Sequence, residues 1–150
     1  MNLLPELDEE KTKDNVVNFF NKDLEKLVLM SGRKLTDLQS PNFDNQSSGS
    51  SFVNSNELKL IDGLDTQNIV KSVYDALYHG VDDTSRRILI GQYIEHKRWI
   101  DLGFDINREK SSFAKYRKRA LIMFAYSFEA WQYRNHCDDI VKLREFKNTE

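Results

Sequence analysis

Apolar side chains recur at intervals of three and four residues along most of this chain. This spacing constrains the fold more than any other feature of the sequence, because it places the apolar residues on one face of a helix. The first such stripe lies between residues 8 and 30 and consists of Val16, Phe19, Phe20, Leu24, Leu27 and Val28. No stretch of useful length alternates apolar and polar residues as a half-buried strand does. The sequence therefore predicts an all-α fold, a helical bundle.

Composition changes between Gln39 and Asn56, where serine and asparagine dominate and apolar residues are few. Such a segment cannot bury enough apolar surface to offset the entropy lost on ordering. We therefore predict a flexible linker or long loop over 39–56. It divides the chain into an N-terminal helical segment, residues 1–38, and a helical domain, residues 57–150.

The helical pattern resumes after residue 57, and His79-Gly80 is expected to end its second stripe. Asp83 or Thr84 is a plausible N-cap for the next helix. A short helix around Trp99–Leu102 and a turn at Gly103 follow. Ser111 or Ser112 is then expected to cap a long helix that ends near Trp131.

This order of elements is typical of a helix-turn-helix, which we place at about 84–131. Trp99, Ile100 and Leu102 are expected to pack against Phe113, Tyr116 and Ala120. The outward face of the long helix then consists of Ser111, Ser112, Ala114, Lys115, Lys118 and Arg119. Hydroxyls and long cations on one face suit contacts with base edges and phosphates in a major groove.

Charge is segregated along the chain, although its formal net charge is only −2. Residues 1–85 hold eight Lys/Arg against 15 Asp/Glu, whereas residues 86–119 hold ten against four. A polyanion responds to the local patch, because charges beyond roughly 10 Å are screened at cellular salt. The flanking cations expected to hold the DNA backbone are Arg86, Arg87, Lys97, Arg98, Arg108 and Lys110. The alternative is a solvated basic face with no partner.

Three segments carry a resemblance to a known family: Leu3–Thr12, Ser40–Asp44 and the helix Ser111–Leu121. Together they resemble phage-encoded ArpU-type transcriptional regulators, which are related to RinA- and LtrC-like regulators of phage late genes. The resemblance implies a C-terminal helix-turn-helix like region 4 of sigma factors, bound to promoter DNA. It also implies that Ser111, Ser112, Lys115, Lys118 and Arg119 face the DNA. The chain departs from the family in a compressed short helix and a longer turn before residue 110.

Other candidate sites favour structural roles. The ligand-type residues His136–Asp139 are adjacent in sequence and cannot easily converge on one metal ion, so a surface helix end is favoured. The aromatic residues Phe124, Phe128 and Trp131 are expected in the core, with a dimer seam as the alternative. No catalytic motif is present, so we expect neither an enzyme nor a cofactor.

The function predicted from these features is a phage or prophage DNA-binding regulator of transcription. Its expected partners are double-stranded DNA, RNA polymerase and a second copy of the chain. The alternative function is an adaptor that binds RNA polymerase or another host protein, with the Phe19-Phe20 face of the acidic N-terminal helix as its anchor. A single cysteine, no signal peptide and no apolar run of membrane-spanning length predict the bacterial cytoplasm and nucleoid.

Overall fold

The computed structural model describes residues 3–41, 43, 65–102 and 110–148. These residues form helices and connecting segments without a β-strand, apart from an isolated antiparallel bridge between Leu7 and Phe146. The all-α prediction is confirmed. The expected linker over 39–56 and the stripe that follows it lie largely outside the described residues. The glycine turn of the expected helix-turn-helix also lies outside them, so that motif stays a prediction.

Five α-helices account for most of the described chain, and four of them adjoin a π-helical turn: α1, α3 and α4 continue into one, and α2 follows one. The elements are α1 (Glu9–Asn18), a π turn (Phe19–Asp23), α2 (Leu24–Met30), a 3-10 turn (Leu35–Gln39), α3 (Thr66–Asp75), a π turn (Ala76–Gly80), α4 (Asp83–Leu89), a π turn (Ile90–Ile94), a 3-10 turn (Trp99–Leu102) and α5 (Lys110–Arg134). The predicted N-terminal helix is thus confirmed over residues 9–30, and the predicted stop at Gly80 is confirmed as well.

Two predicted helix starts are wrong by one to three residues. Asp82, rather than Asp83 or Thr84, caps α4, because its backbone is extended and its Oδ1 accepts a hydrogen bond of 2.7 Å from the Ser85 amide. The long helix begins at Lys110, so Ser111 and Ser112 lie within its first turn rather than ahead of it.

α5 is the central element of the fold, since α1, α3 and α4 all pack against it. Phe19 from the N-terminal helix lies against Phe124 and Phe128 of α5, with ring centroids 6.2 and 5.0 Å apart. Phe124 and Phe128 are completely buried, and Trp131 packs at the edge of the same core. The prediction that this aromatic group belongs to the core is confirmed, and the dimer-seam alternative for it is wrong.

The π turn at Phe19–Asp23 explains why two consecutive phenylalanines are both buried. Phe19 packs onto α5, while Phe20 stacks on Tyr93 at 5.1 Å. An inserted residue widens the turn and changes the direction of the side chains that follow. Because both rings lie in the core, they cannot serve as the anchor for another protein, and that basis for the adaptor alternative is wrong.

The C-terminal segment returns along α5 and joins the N-terminal helix to it. Gln132 is fully buried, and its side chain accepts a hydrogen bond from the Val141 amide at 2.7 Å. Further along, the Asn15 side chain donates to the Leu143 carbonyl at 3.0 Å. Residues 9–30 therefore belong to the same packed unit as α5.

We expect Gly80→Ala to lower the free energy of unfolding by about 1–3 kcal/mol, the usual cost of overpacking. A Cβ atom at Gly80 would lie 2.5 Å from the Cβ of Ser127 on α5, which is too close for two carbon atoms. Urea denaturation followed by circular dichroism measures the change. Ser127→Ala is the control, because it keeps the Cβ and removes only the 2.8 Å hydrogen bond to the Gly80 carbonyl. An unchanged midpoint in Gly80→Ala would contradict the close approach of the two helices.

Candidate nucleic-acid interface

The face of α5 opposite the core forms an exposed strip along the whole helix. Its first half consists of Ser112, Lys115 and Arg119, at spacings of three and four residues, and we call these the basic half of the strip. Lys115 and Arg119 are exposed and Ser112 is half-buried. Together with Tyr116 they line a depression of about 320 Å³. Three of the predicted DNA-facing residues are therefore brought together on one surface.

The predicted packing beneath this surface is right in part. Trp99 does lie against Phe113, with ring centroids 5.6 Å apart, and Ala120 is buried. Ile100 and Tyr116 are instead 54% and 39% exposed, so their predicted inward orientation is wrong. Tyr116 follows Lys115 directly and lies on the flank of the strip, about 100° around the helix from it.

Lys118, the next predicted contact, is drawn to one side of the strip by the N-terminal helix. Its Nζ lies 2.9 Å from a carboxylate oxygen of Glu10 and 3.5 Å from one of Glu9. The hydrogen bond from Lys118, with a second one from Lys13, lowers the pKa of Glu10 from 4.5 to about 2. The same bond raises the pKa of Lys118. We call this contact the acidic latch.

Arg119 also has an acidic neighbour, Asp82, at 3.6 Å. The Asp82 carboxylate already accepts a hydrogen bond from the Ser85 amide at the start of α4, and this bond is the main cause of the lowered pKa of Asp82. The positive charge of Arg119 lowers that pKa further. The side chain of Arg119 is 66% exposed, so this ion pair is open to solvent. Lys115 has no ion-pair partner among the described residues.

A second group of predicted cations lies on α4 and the segment that follows it. Arg86, Arg87 and Lys97 line a cavity of about 500 Å³ together with Tyr78. Arg86 pairs with Asp83, and its guanidinium lies 5.3 Å from the centre of the Tyr78 ring.

The outer members of this group are paired with neighbours in sequence. Lys97 lies 3.2 Å from Glu95, and Arg98 lies 2.9 Å from Asp101. These are exposed pairs of the kind worth about 0–1 kcal/mol, so phosphates can replace the carboxylates at small cost.

Three predicted residues cannot be placed by their side chains. Lys110 and Ser111 lie in the first turn of α5, but their side chains are outside the described part of the structure. Arg108 lies outside the described residues altogether.

The residues that sequence reasoning missed are the acidic partners Glu9, Glu10 and Asp82. The two glutamates lie in the first turn of α1. Their partner Lys118 is more than 100 residues away in sequence, so no local pattern indicates the contact. Arg117 was also missed, and its Nε donates to the Tyr93 hydroxyl at 2.9 Å.

The described residues contain neither a side-chain cluster suited to a metal ion nor a helix suited to cross a membrane. No group of three or more His, Cys, Asp or Glu side chains there is arranged to hold a metal ion, and this statement covers the adjacent residues His136–Asp139. No helix within the same ranges is long and apolar enough to cross a membrane.

The acidic latch predicts an unusual titration of Glu10. We expect its carboxyl group to titrate near pH 2, because the charged form is held by Lys118 and Lys13. The charged carboxylate of Glu10 stabilises the folded chain through these contacts. This stabilisation is present above about pH 4.5 and is lost as the pH falls towards 2. Carbon-detected NMR of the side-chain carboxyl groups measures the titration midpoint of Glu10, over the pH range in which circular dichroism shows that the helices are intact. In Lys118→Ala the midpoint should rise, and in Lys142→Ala, an exposed control, it should not. An equal midpoint in both variants would refute the latch.

Comparison with known protein families, characterised proteins and solved structures gave no match to this chain.

Proposed function

We propose that this protein binds double-stranded DNA through the basic half of the α5 strip and regulates transcription. The observation that carries the proposal is Lys115, an exposed cation without an ion-pair partner in the described residues, in the first turns of a helix whose other face is fixed in the core. A side chain that reads a base must be held on a rigid element and must be free to leave the protein surface. Lys115 meets both conditions, and Arg119 lies one turn further along.

The dimensions of α5 agree with this role. A major groove is about 12 Å wide and accepts one helix with its side chains. The basic half lies at the N-terminal end of α5, the end from which recognition helices contact bases. The cations near α4, Arg86, Arg87 and Lys97, would then reach the phosphate backbone beside the groove.

The acidic latch adds a second property to this interface. Glu9, Glu10 and Asp82 lie beside Lys118 and Arg119, so they repel phosphates that approach without a compensating contact. Carboxylates arranged in this way weaken binding to any DNA sequence. A base contact by Lys115 stabilises only the complex with the matching sequence. We infer that the protein binds DNA selectively by sequence and does not bind all sequences equally.

The resemblance to ArpU-type regulators supports transcription control in a phage or prophage as the setting. In that setting the bound site is a promoter in the bacterial cytoplasm, and RNA polymerase is a neighbouring partner.

Replacement of Lys115 tests the proposed contact with DNA. Selection from random DNA fragments supplies the preferred site, and fluorescence anisotropy then measures affinity for it at several salt concentrations. Lys115→Ala should lose about 1–3 kcal/mol on the selected site if the lysine contacts a guanine. If it contacts a phosphate, the loss should be equal on all sequences and the slope of log K against log salt should become shallower by about 0.9.

Lys142→Ala is the matched control for this measurement. Lys142 is exposed and follows Val141, which is bonded to Gln132, so it lies roughly 25 Å along α5 from Lys115. Wild-type affinity in Lys115→Ala, or an equal loss in the control, would overturn the proposed interface.

Replacement of the two glutamates of the acidic latch tests their effect on selectivity. Replacing both Glu9 and Glu10 by Gln frees Lys118 and removes two negative charges, so affinity for unrelated DNA should rise. The ratio of affinities for the selected and unrelated sites should fall. Asp23→Asn combined with Glu25→Gln, two exposed changes at the start of α2, removes the same number of charges and controls for net charge alone. If the latch variant and this control have the same effect, the latch does not act on DNA binding.

A further inference from the structure

The second half of the exposed strip of α5 has a different character from the basic half. It consists of Met123, Tyr126, Ala130 and Tyr133, and we call it the tyrosine half. Tyr126 and Tyr133 are 45% and 57% exposed, although they are large and partly apolar. Met123 packs partly against the core, whereas the two tyrosines lie opposite the buried residues of the same turns and contribute little to it.

The spacing within the tyrosine half is that of a helix-packing seam. Positions 116, 123 and 130 are seven residues apart, and so are positions 119, 126 and 133. These two series alternate at three and four residues, the pattern by which one helix packs against another. Tyrosine, methionine and arginine are also the residues enriched in protein interfaces.

We propose that the tyrosine half binds a second copy of this chain, with the two α5 helices antiparallel. Charge decides the direction. The basic half precedes the tyrosine half on α5. A parallel pair would bring Lys115 and Arg119 beside their own copies, whereas an antiparallel pair keeps the two basic halves at opposite ends of the contact.

The register follows from the same positions. A two-fold axis near Tyr126 places Arg119 of one copy opposite Tyr133 of the other, since each lies seven residues from the axis. An arginine over a tyrosine ring is a favourable contact.

The available area predicts a weak dimer. The exposed parts of Tyr116, Tyr126 and Tyr133 amount to on the order of 300 Å² per chain. With their neighbours, two copies would bury close to the lower limit of about 1,200 Å² for specific complexes. We therefore expect association that depends on protein concentration in the micromolar range.

Analytical ultracentrifugation of the full chain without DNA tests the proposal. The wild type should show a monomer–dimer equilibrium, and Tyr126→Glu or Tyr133→Glu should raise its dissociation constant by at least about tenfold. Leu29→Glu is the matched control, because Leu29 is 69% exposed on α2 and lies outside the strip. Circular dichroism verifies that each variant is folded. A chain that stays monomeric at several hundred micromolar, or a dimer that survives both tyrosine changes, would overturn the proposal.

Crosslinking tests the direction. In a Cys137→Ser background, a mixture of Arg119→Cys and Tyr133→Cys chains should crosslink as a mixed pair, because these positions face each other in the antiparallel dimer. Each variant alone should crosslink slowly. Fast crosslinking of Arg119→Cys to itself would show a parallel arrangement and refute the proposed one.

Discussion

The burial of one face of α5 is the constraint on which the rest of the structure depends. Phe124 and Phe128 receive Phe19 from the N-terminal helix, and α3 and α4 pack onto the same helix. Because these rings are completely buried, α5 can neither rotate nor slide without opening cavities in a close-packed core. The opposite face is thereby fixed in direction, and the side chains on it form a rigid array.

That array divides into two halves with different chemistry. The basic half can exchange the carboxylate beside Arg119 for a phosphate, since that ion pair is exposed and weak. The tyrosine half offers apolar area, which only another surface can bury. Arg119 belongs to both proposed contacts, so a dimer of the proposed geometry covers part of the surface proposed for DNA. Self-association and DNA binding would then compete for one helix, and protein concentration would influence both.

Local patterns predicted the helices well and their contacts poorly. The stripe in residues 9–30, the stop at Gly80 and the inward face of the long helix follow from spacing alone. The caps were displaced, because several neighbouring Asp, Thr and Ser residues could each begin a helix and only the backbone path selects Asp82. The inward orientation of Tyr116 was wrong because this residue lies on the flank of α5, where the spacing of residues does not decide between core and solvent.

The sequence by itself determined the all-α class, the N-terminal helix over residues 9–30 and the cluster of cations on one face of α5, because each depends on residues three or four apart. Tertiary structure alone decided that Phe19 and Phe20 are both buried, that Glu9 and Glu10 lie against Lys118, and that Asp82 faces Arg119. These contacts join segments far apart in the chain. Their geometry depends on how whole helices pack, for which the spacing of residues within one helix carries no information.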